Sequence, residues 1–172
     1  MFVIDTFVHG KPEPDSVTPR SSEDQGVSAS GDGYDPLLIE RLKADHRALK
    51  AIFCDIGAAN KAGALTQVQQ HLARFRATLA DHLRKEIGLF RYLEDLLAGD
   101  AAKLELMHGF RREMDKMGPV AVGLLAKYEG IAARPRLALS LAGDLALIGV
   151  ALAGRIQREE DVLYALYVSP KG

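Results

Sequence analysis

Cysteine is nearly absent: the 172 residues include one, Cys54. A single thiol excludes a disulfide within the chain and fits a reducing compartment. An excess of one charge is missing too. Lys and Arg number 22 against 23 Asp and Glu, a formal net charge of −1. Broad electrostatic attraction to nucleic acid or to an acidic membrane surface is therefore not expected. No apolar run reads as long enough to span a bilayer, and no basic stretch precedes an apolar one at the start. Neither a membrane span nor a secretory signal is expected, and a cytoplasmic protein is. The chain also lacks a Ser/His/Asp or Cys/His arrangement and a Gly-rich phosphate loop, so it is not expected to be an enzyme.

What the chain does have is apolar residues spaced in threes and fours. The strongest series is Val68, Leu72, Phe75, Leu79, His82, Glu86, Leu89 and Leu93. Such steps trace the buried seam of a helix packed on other helices. Two polar residues, His82 and Glu86, stand at i and i+4 on that seam, one above the other on a single face. A buried imidazole and carboxylate are costly unless partnered, and a bundle core is where metal-binding proteins place them.

Read in order, residues 1–34 form an extension, with an apolar stretch, Phe2–Val8, ahead of a Pro-, Gly- and Ser-rich run expected to be a mobile tail. Docking of Phe2–Val8 on its own bundle or on a partner is the alternative to an unstructured terminus. Residues 35–168 are expected to form an all-α, up-down-up-down four-helix bundle. The first helix opens at Asp35 as cap and Pro36, with the seam Ile39, Leu42, His46, Leu49, Phe53, Ile56. Cys54 lies beside that seam and is expected as a core thiol. A turn from Gly57 to Gly63 follows, and Thr66 with Gln69 has capping-box spacing. The second helix is expected to end or bend soon after Phe90. Its other histidine, His71, lies roughly 16 Å from His82 at 1.5 Å per residue, too far to share a metal, and is expected to be structural or at the surface. The third helix starts at Asp100 and holds Leu104, Met107, His108, Phe110, Met114 and Met117, with a kink or break expected at Gly118-Pro119. After the turn at Gly130–Pro135, the fourth has the seam Leu141, Leu145, Ile148, Leu152, Arg155, Glu159, Val162, Leu166. Counted from the turns, His108 and Arg155 fall within roughly 3 Å of one height and His46 and His82 about 8 Å apart.

In order, then, the chain presents Asp45-His46, His82-Leu-Arg-Lys-Glu86-Ile-Gly-Leu-Phe, His108 and Glu159-Glu160-Asp161-Val162-Leu163-Tyr164. In these segments, and over about residues 36 to 168, it resembles the hemerythrin-like (HHE cation-binding) family. The resemblance implies a four-helix bundle with a non-haem di-iron centre that binds or senses oxygen, nitric oxide or iron. It implies His46 and His82 on one metal, His108 with a helix-four histidine on the other, and Glu86 and Glu159 bridging. Imidazole and carboxylate ligands suit iron. Where the family has its last histidine, this chain has Arg155, whose guanidinium has no lone pair to give and would repel a second cation. The expected centre is thus incomplete or mononuclear. The competing reading is a metal-free bundle in which Arg155 pairs with Glu86 and Glu159. Such a bundle would act through a protein partner, as the last helix's resemblance to anti-sigma proteins suggests.

Overall fold

The computed structural model describes residues 33–168; residues 1–32 of the expected extension, with the apolar segment Phe2–Val8, lie outside them. Four helices make an all-α bundle: α1 (Leu38–Lys61), α2 (Leu65–Leu96), α3 (Ala101–Lys127) and α4 (Ala138–Arg158). Among the described residues there is no strand. α4 runs on into one wider π turn, Glu159–Leu163, and a tight 3₁₀ turn, Tyr164–Leu166. Connections this short make each helix antiparallel to the one before it.

Several boundaries differ from expectation, each for a local reason. α1 passes through Gly57 and stops only at Lys61, where Gly63 takes a left-handed φ of 70° and lets Ala64 N–H reach back to Ala59 O. α2 contains no proline and a single glycine, and it continues past Phe90 to Leu96. It starts after Ala64 with no side-chain cap, so Thr66 and Gln69 do not form a box. α3 runs through Pro119 without a break, and its expected cap holds: the Asp100 carboxylate accepts Lys103 N–H at 3.1 Å. Asp35 acts one turn early. Its carboxylate accepts from Leu37 N–H at 2.9 Å, and α1 starts at Leu38. Cys54 is exposed, not a core thiol, because Ile52 and Ile56 take the inward positions on either side of it.

The expectation that no stretch could span a bilayer is also corrected. Pro135–Leu166 contains an 18-residue window of mean hydropathy 1.9, long and apolar enough by length and composition alone. The one acid that interrupts the apolar part of α4, Asp144, is tied to Lys127 and to Tyr128 OH, both at 2.7 Å. Leu141 and Leu145 pack inward, while Leu139, Leu147 and Val150 remain exposed. Where α4 crosses α1 the approach is close: a Cβ on Gly149 would lie 3.0 Å from the Phe53 ring.

The core has two apolar layers. Toward the α1–α2 turn, Leu49, Ile56, Val68, Phe75, Leu125, Tyr128, Ile131 and Leu141 cluster. Toward the other end, Leu42, Leu89, Phe90, Leu93, Met107, Phe110, Leu163 and Tyr164 do. Between them lies a layer of buried polar side chains: His46, His82, Glu86, Arg155 and Glu159.

Candidate metal centre

Each member of the polar layer is delivered by a seam that is apolar above and below it, as Leu42 and Leu49 flank His46 on α1. The offset expected between His46 and His82 closes because α1 is longer than its glycines suggest. His46 stands fifteen residues before the end of α1 and His82 seventeen after the start of α2, a mismatch of about 3 Å at 1.5 Å per residue. Their ring centroids lie 4.7 Å apart.

Both imidazoles have a carboxylate toward the outer nitrogen, within hydrogen-bond distance for His46 but not for His82, and face the centre with the inner one. His46 Nδ1 is 2.8 Å from Glu160 Oε1, and its Nε2 is 3.1 Å from Glu159 Oε2 and 3.3 Å from Tyr164 OH. His82 Nδ1 lies 3.7 Å from Asp45 Oδ2, and its Nε2 lies 3.8 Å from Glu86 Oε2. When Glu160 takes the outer N–H of His46 it fixes the tautomer and leaves Nε2 a lone pair for a cation; without a cation, the same Nε2 hydrogen-bonds to Glu159 when it carries a proton. One ligand atom each from His46, His82 and Glu159 lies within 4.8 Å of the others, all three residues buried. These donors fit one metal ion.

The α3–α4 side differs. Arg155 donates to Glu86 at 3.0 Å, to Phe110 O at 2.8 Å, to Glu113 at 3.4 Å and, through Nε, to Glu159. Its guanidinium also sits over the Phe110 ring, 5.3 Å from the centroid. The two buried acids respond in opposite directions. Burial, reinforced by the charge of Glu159, pushes the Glu86 carboxyl well above its usual range, with Arg155 only partly opposing. Burial also works against Glu159, but the His46 hydrogen bond and Arg155 outweigh it and hold that carboxyl near 2. Asp45 likewise is lowered against its burial by His82 and Lys85.

His108, the remaining expected ligand, does not join the layer. It faces Glu94 at 3.7 Å, a third exposed. Height and direction both explain this. His82 is fourteen residues before the end of α2 and His108 seven after the start of α3, so they differ by about 10 Å in height. The inward face of α3 is Met107, Phe110 and Met114, and His108 is about 100° of helix rotation from Met107. His71 is partly buried, with Nδ1 lacking a hydrogen-bond partner among the described residues, and takes no part.

The sequence pattern gave Glu160 and Tyr164 no role, because a regular helix turns them away from the Glu159 face. The π turn adds one residue to the helix just there. It lets adjacent Glu159 and Glu160 both reach His46 and brings Leu163, Tyr164 and Tyr167 inward, while Val162, expected on the seam, is left outside. No spacing rule reveals an inserted residue in advance.

Residues 37–167 match the model of the hemerythrin HHE cation binding domain. The chain belongs to that family. No curated protein and no solved structure matches it. Membership agrees with the bundle and with the buried cluster of His46, His82 and Glu159, and it makes a non-haem metal site the natural reading of that cluster. The resident family group is tested here by the donor set. The α1–α2 side offers two oriented imidazoles and a carboxylate; the α3–α4 side offers a guanidinium with no lone pair.

Proposed function

We propose that this HHE domain is a mononuclear non-haem metal protein, with iron held by His46, His82 and Glu159 and Arg155 standing in for the second cation. The observation that carries this is the Arg155 guanidinium hydrogen-bonded between Glu86 and Glu159 at the level of the two imidazoles. Charge balance supports one ion over two. The buried layer has two carboxylates against one guanidinium. With both ionised, a single divalent ion leaves one positive charge and two ions leave three; with Glu86 protonated, as its burial favours, the excess is two or four. One ion is the smaller load in a low-dielectric core either way. Glu160 would orient His46, with Asp45 behind His82, and Glu86 is held by Arg155. Bound iron would supply an open position for a diatomic ligand such as oxygen or nitric oxide, which makes a sensor or carrier role the reading these residues favour.

The test is metal content. Protein purified without chelators from iron-supplemented cells should hold about one iron per chain, and His46→Ala or His82→Ala should remove it. Two irons per chain would put a second ion beside Arg155 and refute the substitution. None, with no uptake on anaerobic loading with ferrous iron, would favour the metal-free bundle closed by its own Arg–Glu network and acting on a protein partner.

A further inference from the structure

Against the polar layer, among all four helices, lies a cavity of about 290 Å³. We propose that it binds a neutral, apolar small molecule of one- or two-ring aromatic size. Small residues line the cavity where the flanking layers have large ones. Ala121 of α3 and Ala151 of α4 both line it, while Phe75, Leu79, Met117 and Ile148 form its walls. A dry cavity of about 150 Å³ with such walls accepts benzene, so this one has roughly twice that room, far more than a diatomic ligand needs. Water would find few hydrogen-bond partners along these walls.

The floor decides the charge of the ligand. His46, His82, Glu86, Arg155 and Glu159 line the cavity there; Arg155 donates to Glu86, Glu159 and Phe110 O, and His46 pairs with Glu159 and Glu160. In the metal-free protein the buried carboxyls are already engaged by Arg155, so a charged organic ligand in the apolar space above them would lose hydration without compensation. The remaining charged lining residue, Lys116, is exposed. A neutral molecule meets no such penalty and gains from removing its own apolar surface from water. His46, His82 and Glu159 stand on the same floor, so the site shares residues with the metal reading above; binding to the metal-free protein separates the two, because an apolar ligand needs no ion there.

The test uses full-length, chelator-treated protein with ¹³C-labelled methionine methyls, titrated with benzene, indole and naphthalene. Met114 and Met117 line the cavity, whereas Met107 packs in the apolar layer beyond the polar one. The Met114 and Met117 signals should shift saturably and Met107 should stay. Ala151→Leu and, independently, Ala121→Leu should fill the void and weaken binding at least tenfold while the helical circular dichroism is kept. Absence of saturable shifts up to the solubility of all three compounds would overturn the proposal, as would equal affinity in both filled variants. Binding that appears only after removal of residues 1–32 would also overturn it, by making the chain's own N-terminal segment the occupant.

Discussion

On the α1–α2 side of the polar layer two imidazoles turn their inner nitrogens to the centre, with Glu160 and Asp45 behind them. On the α3–α4 side a guanidinium fills the equivalent space, and the nearest histidine, His108, faces Glu94 at the surface. Both sides solve one electrostatic problem, that of buried carboxylates. On the proposed reading the first would solve it with donors that a bound cation completes; the second does so with a cation built into the chain. A permanent charge needs no metal and cannot be released, so one half of the layer can be reversible while the other keeps the bundle closed.

The largest effect should come from removing the built-in cation. Arg155→Ala strands Glu86 and Glu159 in the core and should cost the metal-free protein about 3–5 kcal/mol, measured by denaturant unfolding. The carboxyls can escape part of that cost by taking up protons, and Glu86 is already disposed to do so. Ferrous iron should then restore more stability to the variant than to the wild type. A loss below about 0.5 kcal/mol is the size expected of a surface site and would show that Arg155 holds nothing together.

Much of this layout was legible beforehand. Spacing alone put His46, His82, Glu86, Arg155 and Glu159 on buried seams, since a helix that packs on others repeats in threes and fours whatever side chain occupies the position. What was not legible was anything that depends on where a helix stops or slips. The end of α1 at Lys61 turned an apparent 8 Å offset into near alignment, because Gly57 tolerates a helix interior as well as a turn. Counting from a turn gives the height of His108 but not its face, and the inward face of α3 is Met107, Phe110 and Met114. The apolar length of α4 was hidden by Asp144, which Lys127 and Tyr128 hold in place.

A smaller effect should separate the two braces on the α1–α2 side. Glu160→Gln removes the carboxylate 2.8 Å from His46 Nδ1 and should weaken metal binding about 10–100-fold, read by competition with a chelator. Asp45→Asn should cost less. Its carboxylate is 3.7 Å from His82 and is already engaged by Lys85 at 2.7 Å. Equal losses would mean that the two imidazoles are braced alike and that the difference in distance has no consequence.

The smallest effect is expected at His108, and it bears most directly on the comparison. Its pairing with Glu94 is exposed on both sides, so His108→Ala should change stability by less than about 0.5 kcal/mol. Iron content should be unchanged as well. The sharper version places the same substitution in an Arg155→His background. That change supplies an imidazole on α4 and removes the repelling charge, which would complete a second metal position only if α3 also contributed a ligand. His108 stands about 10 Å too near the α2–α3 turn, on the wrong side of its helix, and Met114 lines the cavity near the level of His82 instead. Arg155→His alone should therefore still bind about one iron per chain, and adding His108→Ala should leave that number as it is. A second iron gained with Arg155→His and lost again with His108→Ala would mean that α3 can shift by more than a helical turn to bring His108 inward. The asymmetry between the two halves would then belong to one residue on α4, not to the register of α3.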